Sequence, residues 1–182
     1  MKLLTAILGL LLLAIFARSM WASFRSQSPS DYAGTTPAFD LRQHLNGPIQ
    51  SEGVIYGPKG RVTNSFVADM EGEWDGNTGR LREAFTYSNG QQQLREWHLT
   101  LGPDNTFTGT ADDIVGVATG TVSGSTVQMS YKIILPEASG GHVLSVTDWL
   151  YLTESGAIMN RSELRKYGIK VAELLATMRP AE

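Results

Sequence analysis

The stretch RVTNSFVADMEGEW, residues 61–74, sends Val62, Asn64, Phe66, Ala68, Met70, Gly72 and Trp74 to one side of an extended chain and Thr63, Ser65, Asp69, Glu71 and Glu73 to the other. A period of two held this long is the pattern of a half-buried β-strand. The segments around it repeat the pattern. GPKG at 57–60 joins it to residues 53–56, DGNTG at 75–79 reverses the chain into 80–87, SNG at 88–90 into 93–101, and GPDN at 102–105 into 106–111. These turns are built from residues that supply fixed or positive φ. Residues 115–122, 126–135, 142–153 and 157–160 continue the series, and 164–178 reads as either a helix or a closing strand. Segments spaced by about ten residues predict an all-β fold, an antiparallel up-and-down meander of about nine or ten strands closing into a barrel. Residues 39–45, apolar at Phe39, Leu41 and Leu45, are expected to form a short helix or plug ahead of the first strand.

The chain of 182 residues is long enough for one domain with a core and short for two. With 18% charged residues, 42% hydrophobic residues and a net charge of −3, neither disorder nor electrostatic nucleic-acid binding is favoured. The absence of cysteine removes disulfides, thiol nucleophiles, thiolate metal sites and attachment of lipid through a cysteine. His44, His98 and His142 are far apart, and no nucleophile elbow, zinc-binding helix motif or phosphate-cradling loop is present, so no cofactor and no metal are indicated.

At the N-terminus, Met1-Lys2 precedes an apolar run from Leu3 to Ala17 that Arg18 ends, matching the first two regions of an export signal. As a helix, these fifteen residues span about 22 Å, short of the roughly 30 Å hydrocarbon core. A cleaved signal, with Ala17-Arg18-Ser19 as the small-x-small site, competes with a short anchor extended by Met20, Trp21 and Phe24. Arginine inside a cleavage site is awkward, and the anchor is the reading preferred. The chain divides into a signal anchor or signal peptide at 1–25, a Ser-, Gln- and Pro-containing linker at 26–37 and a β-barrel domain at 38–182. Beyond residue 30 the basic count falls from 15 to 12 against 18 acids, a net charge of −6, which disfavours nonspecific attraction to acidic lipid or nucleic acid.

Several charges fall on apolar faces. Glu83 shares the face of Leu81, Phe85 and Tyr87, and Arg95 that of Trp97, Leu99 and Leu101. If 88–90 is a three-residue loop with Gly90 left-handed, Tyr87 opposes Gln91, and counting back sets Glu83 opposite Arg95 inside the barrel. Asp148 lies on the face of Leu144, Val146 and Leu150, with Arg161 or Lys166 as candidate partners. Asp112-Asp113 is expected to form a turn or bulge in which one acid caps backbone amides. Asn160-Arg161-Ser162 matches a glycosylation sequon by chance, and the cations Arg161, Arg165, Lys166 and Lys170 are read as a solvated strand end.

Phe39-Asp40-Leu41-Arg42, Asn46-Gly47, Glu71-Gly72-Glu73-Trp74, Leu81 with Glu83 and Phe85, Arg95 with Trp97, the run from Gly109 to Gly116, Asp148-Trp149-Leu150-Tyr151 and Lys166-Tyr167-Gly168 follow one another in order. Together they resemble the proteobacterial domain-of-unknown-function family 3833 (DUF3833), whose members are commonly described as lipoprotein-like. The resemblance implies a lipocalin- or calycin-like barrel on the far side of the inner membrane and carries no known activity. The lipidated cysteine of such proteins is absent here, which favours the signal anchor.

A barrel has one natural cavity. The expected function is therefore a membrane-tethered periplasmic barrel, nonenzymatic, that binds an apolar or amphipathic small molecule such as a fatty acid or lipid fragment. The interior candidates are Phe66, Met70, Trp74, Glu83, Phe85, Arg95, Trp97, Asp148 and Leu150, with Arg95 facing a ligand carboxylate. The inner membrane is the expected partner, through the N-terminal segment, and no nucleic acid is expected. The alternatives are an assembly module whose barrel is filled by its own side chains and works through a protein partner, and a lipid-modifying enzyme using Glu83, Asp112 or Asp148 as acid or base.

Overall fold

Each strand pairs antiparallel with the next, and the last pairs with the first, so no sheet edge is left open. The computed structural model describes residues 2–21 and 23–181, with side chains from 4–14, 23–137 and 139–181. Among these residues the barrel has ten strands: β1 (Gly47–Tyr56), β2 (Val62–Asp75), β3 (Thr78–Tyr87), β4 (Gln92–Leu101), β5 (Thr106–Thr110), β6 (Ala118–Ser123), β7 (Thr126–Ile134), β8 (Val143–Leu152), β9 (Ile158–Lys166) and β10 (Ile169–Pro180). In β2 the alternation becomes burial: Phe66, Ala68, Met70 and Gly72 are buried while Val67, Asp69, Glu71 and Glu73 are exposed. The 88–90 turn forms as its residues predict. Gly90 has φ +83°, and the Tyr87 amide donates to the Gln91 carbonyl at 2.9 Å. This places Glu83 directly across from Arg95.

Three boundaries differ from the sequence reading. The first strand begins at Gly47 rather than 53, because β10 gives it a partner along its whole length. Residues 115–117 lie in a loop, and β6 starts only at Ala118. The ambiguous C-terminal stretch is the end of β9 followed by strand β10, where pairing with β1 and β9 overrides the helical preference of its Leu, Ala, Glu and Met residues.

Helix α1 (Lys2–Trp21) precedes the barrel. Leu4, Ile7, Leu8, Leu10, Leu11, Leu12 and Leu13 are exposed around it, so it has no single apolar stripe to lay on the barrel. Among the described residues no helix is long and apolar enough to cross a membrane. The side chains of Ala17-Arg18-Ser19, Met20 and Trp21, where cleavage and interfacial anchoring were expected, lie outside the described residues.

The stretch expected to be a loose tether is packed against the outer wall. Just ahead of it Phe24, expected to extend the interfacial anchor, is instead buried on the barrel, with the Arg161 guanidinium 5.0 Å over its ring. Tyr32 packs 5.3 Å from Trp149, and the hydroxyls of Tyr32 and Tyr151 both donate to Gln27 Oε1, at 2.7 and 2.8 Å. Trp149 points outward from β8 and is nevertheless only 2% exposed. Its burial by this segment supplies apolar area that a Ser/Gln/Pro composition does not advertise.

The chain then turns under the barrel into α2 (Leu41–His44), whose first turn is capped by the Asp40 carboxylate accepting from the Arg42 amide at 2.9 Å. Leu41 and Leu45 are buried in the core cluster and plug this end. Gly72 allows the approach, since a Cβ there would collide with the Leu45 carbonyl. Trp74 fastens the plug by donating its indole N–H to that same carbonyl at 2.8 Å.

Candidate functional site

The inward positions of ten strands converge on a lumen with an apolar floor and a charged middle. The half that the α2 plug stops at one end, and in that sense the closed half, is a cavity of about 130 Å³ lined by Leu41, Leu45, Phe66, Met70, Leu81, Trp97, Leu99, Phe107, Val127, Met129, Leu150, Leu174, Ala176 and Met178, with Glu83, Phe85, Arg95, Tyr131, Asp148 and Ser162 among the remaining wall residues. Its other half, about 230 Å³, reaches Gln91, Pro136 and Ser139 in the loops at the opposite end. The two halves share Phe66, Phe85, Arg95, Tyr131, Ser162 and Leu174 in their lining, so these residues form the waist. A broader, open hollow of about 620 Å³ lies over Asp69, Arg82, Leu94 and Asp112, and Glu83, Arg95 and Asp113 of the waist also border it.

Eight of the nine sequence candidates line the closed half: Phe66, Met70, Glu83, Phe85, Arg95, Trp97, Asp148 and Leu150. Trp74 lies apart from them, holding the plug. Asn160 and Ser162 of the chance sequon face inward and are buried.

Arg95 is the hub of the waist. Its Nε and Nη2 donate to Asp113 Oδ2 at 2.9 and 2.6 Å, and its Nη1 lies 3.7 Å from Glu83 Oε2. Its guanidinium carbon is 5.9 Å from the ring centroids of both Phe85 and Trp97. Burial works against this charge, but Glu83, Tyr131 and Asp113 outweigh it and hold Arg95 above its ordinary pKa. Glu83 is the reverse case: burial pushes its carboxyl up to about 7, with Arg95 pulling it down and Asp148 and Asp113 adding to the rise. Asp148 is also raised by burial, against the hydroxyls of Ser162 and Tyr131 and the charge of Arg95. Its Oδ2 accepts from the Tyr131 hydroxyl at 2.9 Å, so its partners differ from the Arg161 or Lys166 suggested by sequence. Lys166 stands at the end of β9 with its Nζ 5.8 Å from the Tyr167 ring, and Arg161 pairs outside the lumen. Arg161 donates to Glu173 Oε1 at 2.7 Å, and Lys170 to Glu173 Oε2 at 2.7 Å.

Asp113 and Tyr131 were not among the sequence candidates. Strands β5 and β6 are short, and the loop at 111–117 closes the wall above them. The Val115 amide donates to the Lys132 carbonyl at 2.9 Å and the Ile134 amide to the Asp113 carbonyl at 2.7 Å, which pins Asp113 over the lumen. Rather than capping backbone amides, its side chain takes the arginine, and Gln93 Nε2 adds a donor at 3.3 Å. Asp112 is exposed. Tyr131 could have been found from the parity of β7, which turns Val127, Met129, Tyr131 and Ile133 inward together.

The family model described as "Protein of unknown function (DUF3833)" matches residues 18–180, and the chain belongs to that family. No curated protein matches the chain. Among solved structures it is similar to the S-type phycobiliprotein lyase CPES from Guillardia theta, with 10% identity and a TM-score of 0.59 over 77% of this chain and 90% of that one. It is also similar to Rv2717c from M. tuberculosis, with 12% identity and a TM-score of 0.54 over 81% of this chain and 99% of that one. At these identities the likeness is one of fold, a lipocalin- or calycin-like closed barrel.

Proposed function

We propose that this member of the family is a membrane-tethered, nonenzymatic binding barrel of the periplasm that holds one apolar or amphipathic small molecule, of the size of a lipid or fatty-acid fragment, in its lumen. The observation that carries the reading is the lumen itself, an apolar closed cavity of about 130 Å³ meeting a second of about 230 Å³ at a polar waist. At 10–15 Å³ for each water-sized group, the closed half accommodates a chain of roughly ten heavy atoms. A barrel filled by its own side chains would leave no such space, which argues against the assembly-module alternative.

The tether is α1, a short anchor for the inner membrane whose leucines are exposed on every side. The chain leaves the barrel wall at Phe24, which lines one outer groove together with Arg165 and Gly168 near the β9–β10 turn. That turn belongs to the loop end of the lumen, where Tyr167 is 94% and Ile169 70% exposed. A barrel held by α1 therefore presents its loop end to the bilayer, the arrangement suited to exchanging an amphiphile with it.

The test is native mass spectrometry and solvent extraction of the full chain purified from membranes in a nonionic detergent. The reading expects one small amphiphile bound per chain and released by extraction. Bare protein that also fails to take up a neutral fluorescent amphiphile would refute it.

A further inference from the structure

The waist of the lumen has more acceptors than donors. Glu83 Oε2, Asp113 Oδ1 and Asp148 Oδ1 are buried and accept no hydrogen bond among the described residues. Most donors around them go to other atoms: Arg95 Nε and Nη2 to Asp113 Oδ2, the Tyr131 hydroxyl to Asp148 Oδ2, and the Ser162 hydroxyl to Asn160 Oδ1 at 3.3 Å, while the Trp97 indole serves Glu83. Arg95 reaches Glu83 only at 3.7 Å, beyond hydrogen-bond distance. Three carboxyl groups thus meet a single guanidinium, two of whose nitrogens are taken by Asp113. Glu83 is 8% exposed, and it and Asp148 both line the closed cavity. A buried unpartnered acceptor is costly, more so when it carries charge.

Resting on the binding-barrel reading above, we infer that the ligand's polar end is a hydrogen-bond-donating cation of the primary-ammonium type, seated between Glu83 and Asp148, with its apolar body in the closed cavity. A primary ammonium brings donors only, matching acceptors that lack them. A carboxylate brings the opposite: it would add a fourth acid to a waist that has a single guanidinium. The fatty-acid head expected opposite Arg95 would find only Nη1 unbonded there, with Glu83, Asp113 and Asp148 around it. Burial raises the carboxyl groups of Glu83 and Asp148 further than the charge of Arg95 lowers them, and a bound cation would add to that counter-charge.

The experiment compares three ligands with one tail, octylammonium, octanol and octanoate, titrated into the full chain in nonionic detergent near neutral pH and read by calorimetry and by the shift in melting temperature. Octylammonium should bind tightest, octanol more weakly and octanoate weakest. Glu83→Gln and Asp148→Asn should each weaken octylammonium about tenfold or more, the scale of a hydrogen bond to a charged group, while octanol affinity stays within about threefold and reports that the lumen is intact. Octanoate binding as tightly as octylammonium, or an octylammonium preference that survives both substitutions, overturns the inference and leaves the amphiphile reading standing. Failure of all three ligands overturns both.

Discussion

Replacing Glu83 by glutamine should flatten the pH dependence of the barrel's stability. Glu83 is buried on β3 with its Oε2 unpartnered, and burial lifts its carboxyl from the ordinary 4.5 to about 7. A carboxyl whose folded pKa lies above its unfolded one is protonated more fully in the folded state between those values. Stability then falls as pH rises through that window, and the loss is complete above about 7. At ~1.4 kcal/mol per pH unit, the gap amounts to roughly 3 kcal/mol. Glutamine cannot ionise, so the variant should escape that loss, less whatever the Arg95 contact at 3.7 Å returns. The other titratable groups facing Glu83 are Arg95 from β4, Asp148 from β8, Tyr131 from β7 and Asp113 from the 111–117 loop. Of these, Asp148 is also raised by burial and keeps part of the slope in the variant. The assay is urea unfolding of the full chain in nonionic detergent at intervals from about pH 5 to about pH 8. Parallel wild-type and variant curves, or a wild-type stability that rises across this range, would refute the reasoning.

Other substitutions test the parts around the lumen. Arg95→Leu strands Asp113 and Glu83 without a counter-charge and should cost about 3–5 kcal/mol; an unchanged melting temperature would show that the hub is not buried. Gly72→Ala forces a Cβ against the Leu45 carbonyl and should cost about 1–3 kcal/mol, with faster proteolysis at 39–45 if the plug is what gives way. Trp149→Ala removes the side chain on which Tyr32 packs. It should release residues 24–37 to protease while the barrel stays folded, and an unchanged digestion pattern would argue that this segment is held by something else.

Much of this was legible in the chain because strands have a period. The alternation through 61–74 set the inner face of β2, and one left-handed residue, Gly90, fixed the register that brings Glu83 opposite Arg95. The same parity put Asp148 inside. Periodicity has nothing to say about a loop, so nothing in the sequence separates Asp113, which holds the arginine, from its exposed neighbour Asp112. It cannot reveal what covers the outer wall either. Residues 26–37 read as a tether from composition, yet the Tyr32 ring and Gln27 Oε1 meet Trp149 and Tyr151, a match that only the folded wall creates. At the C-terminus, local propensity was split between helix and strand, and the need of β1 and β9 for a shared neighbour decided it.

The claim on which the account turns is that an amphiphile occupies the lumen, and Trp97 reports on that space. It is 6% exposed and lines the closed cavity, whereas Trp74 is held at the plug and Trp149 lies on the outer wall. Titrating the full chain with a neutral octyl alcohol brominated at the end of its tail, and following tryptophan emission, should give a saturable quenching component that disappears in Trp97→Phe. Quenching that is equal in the wild type and Trp97→Phe, or that never saturates, would place the ligand outside the barrel and contradict the account.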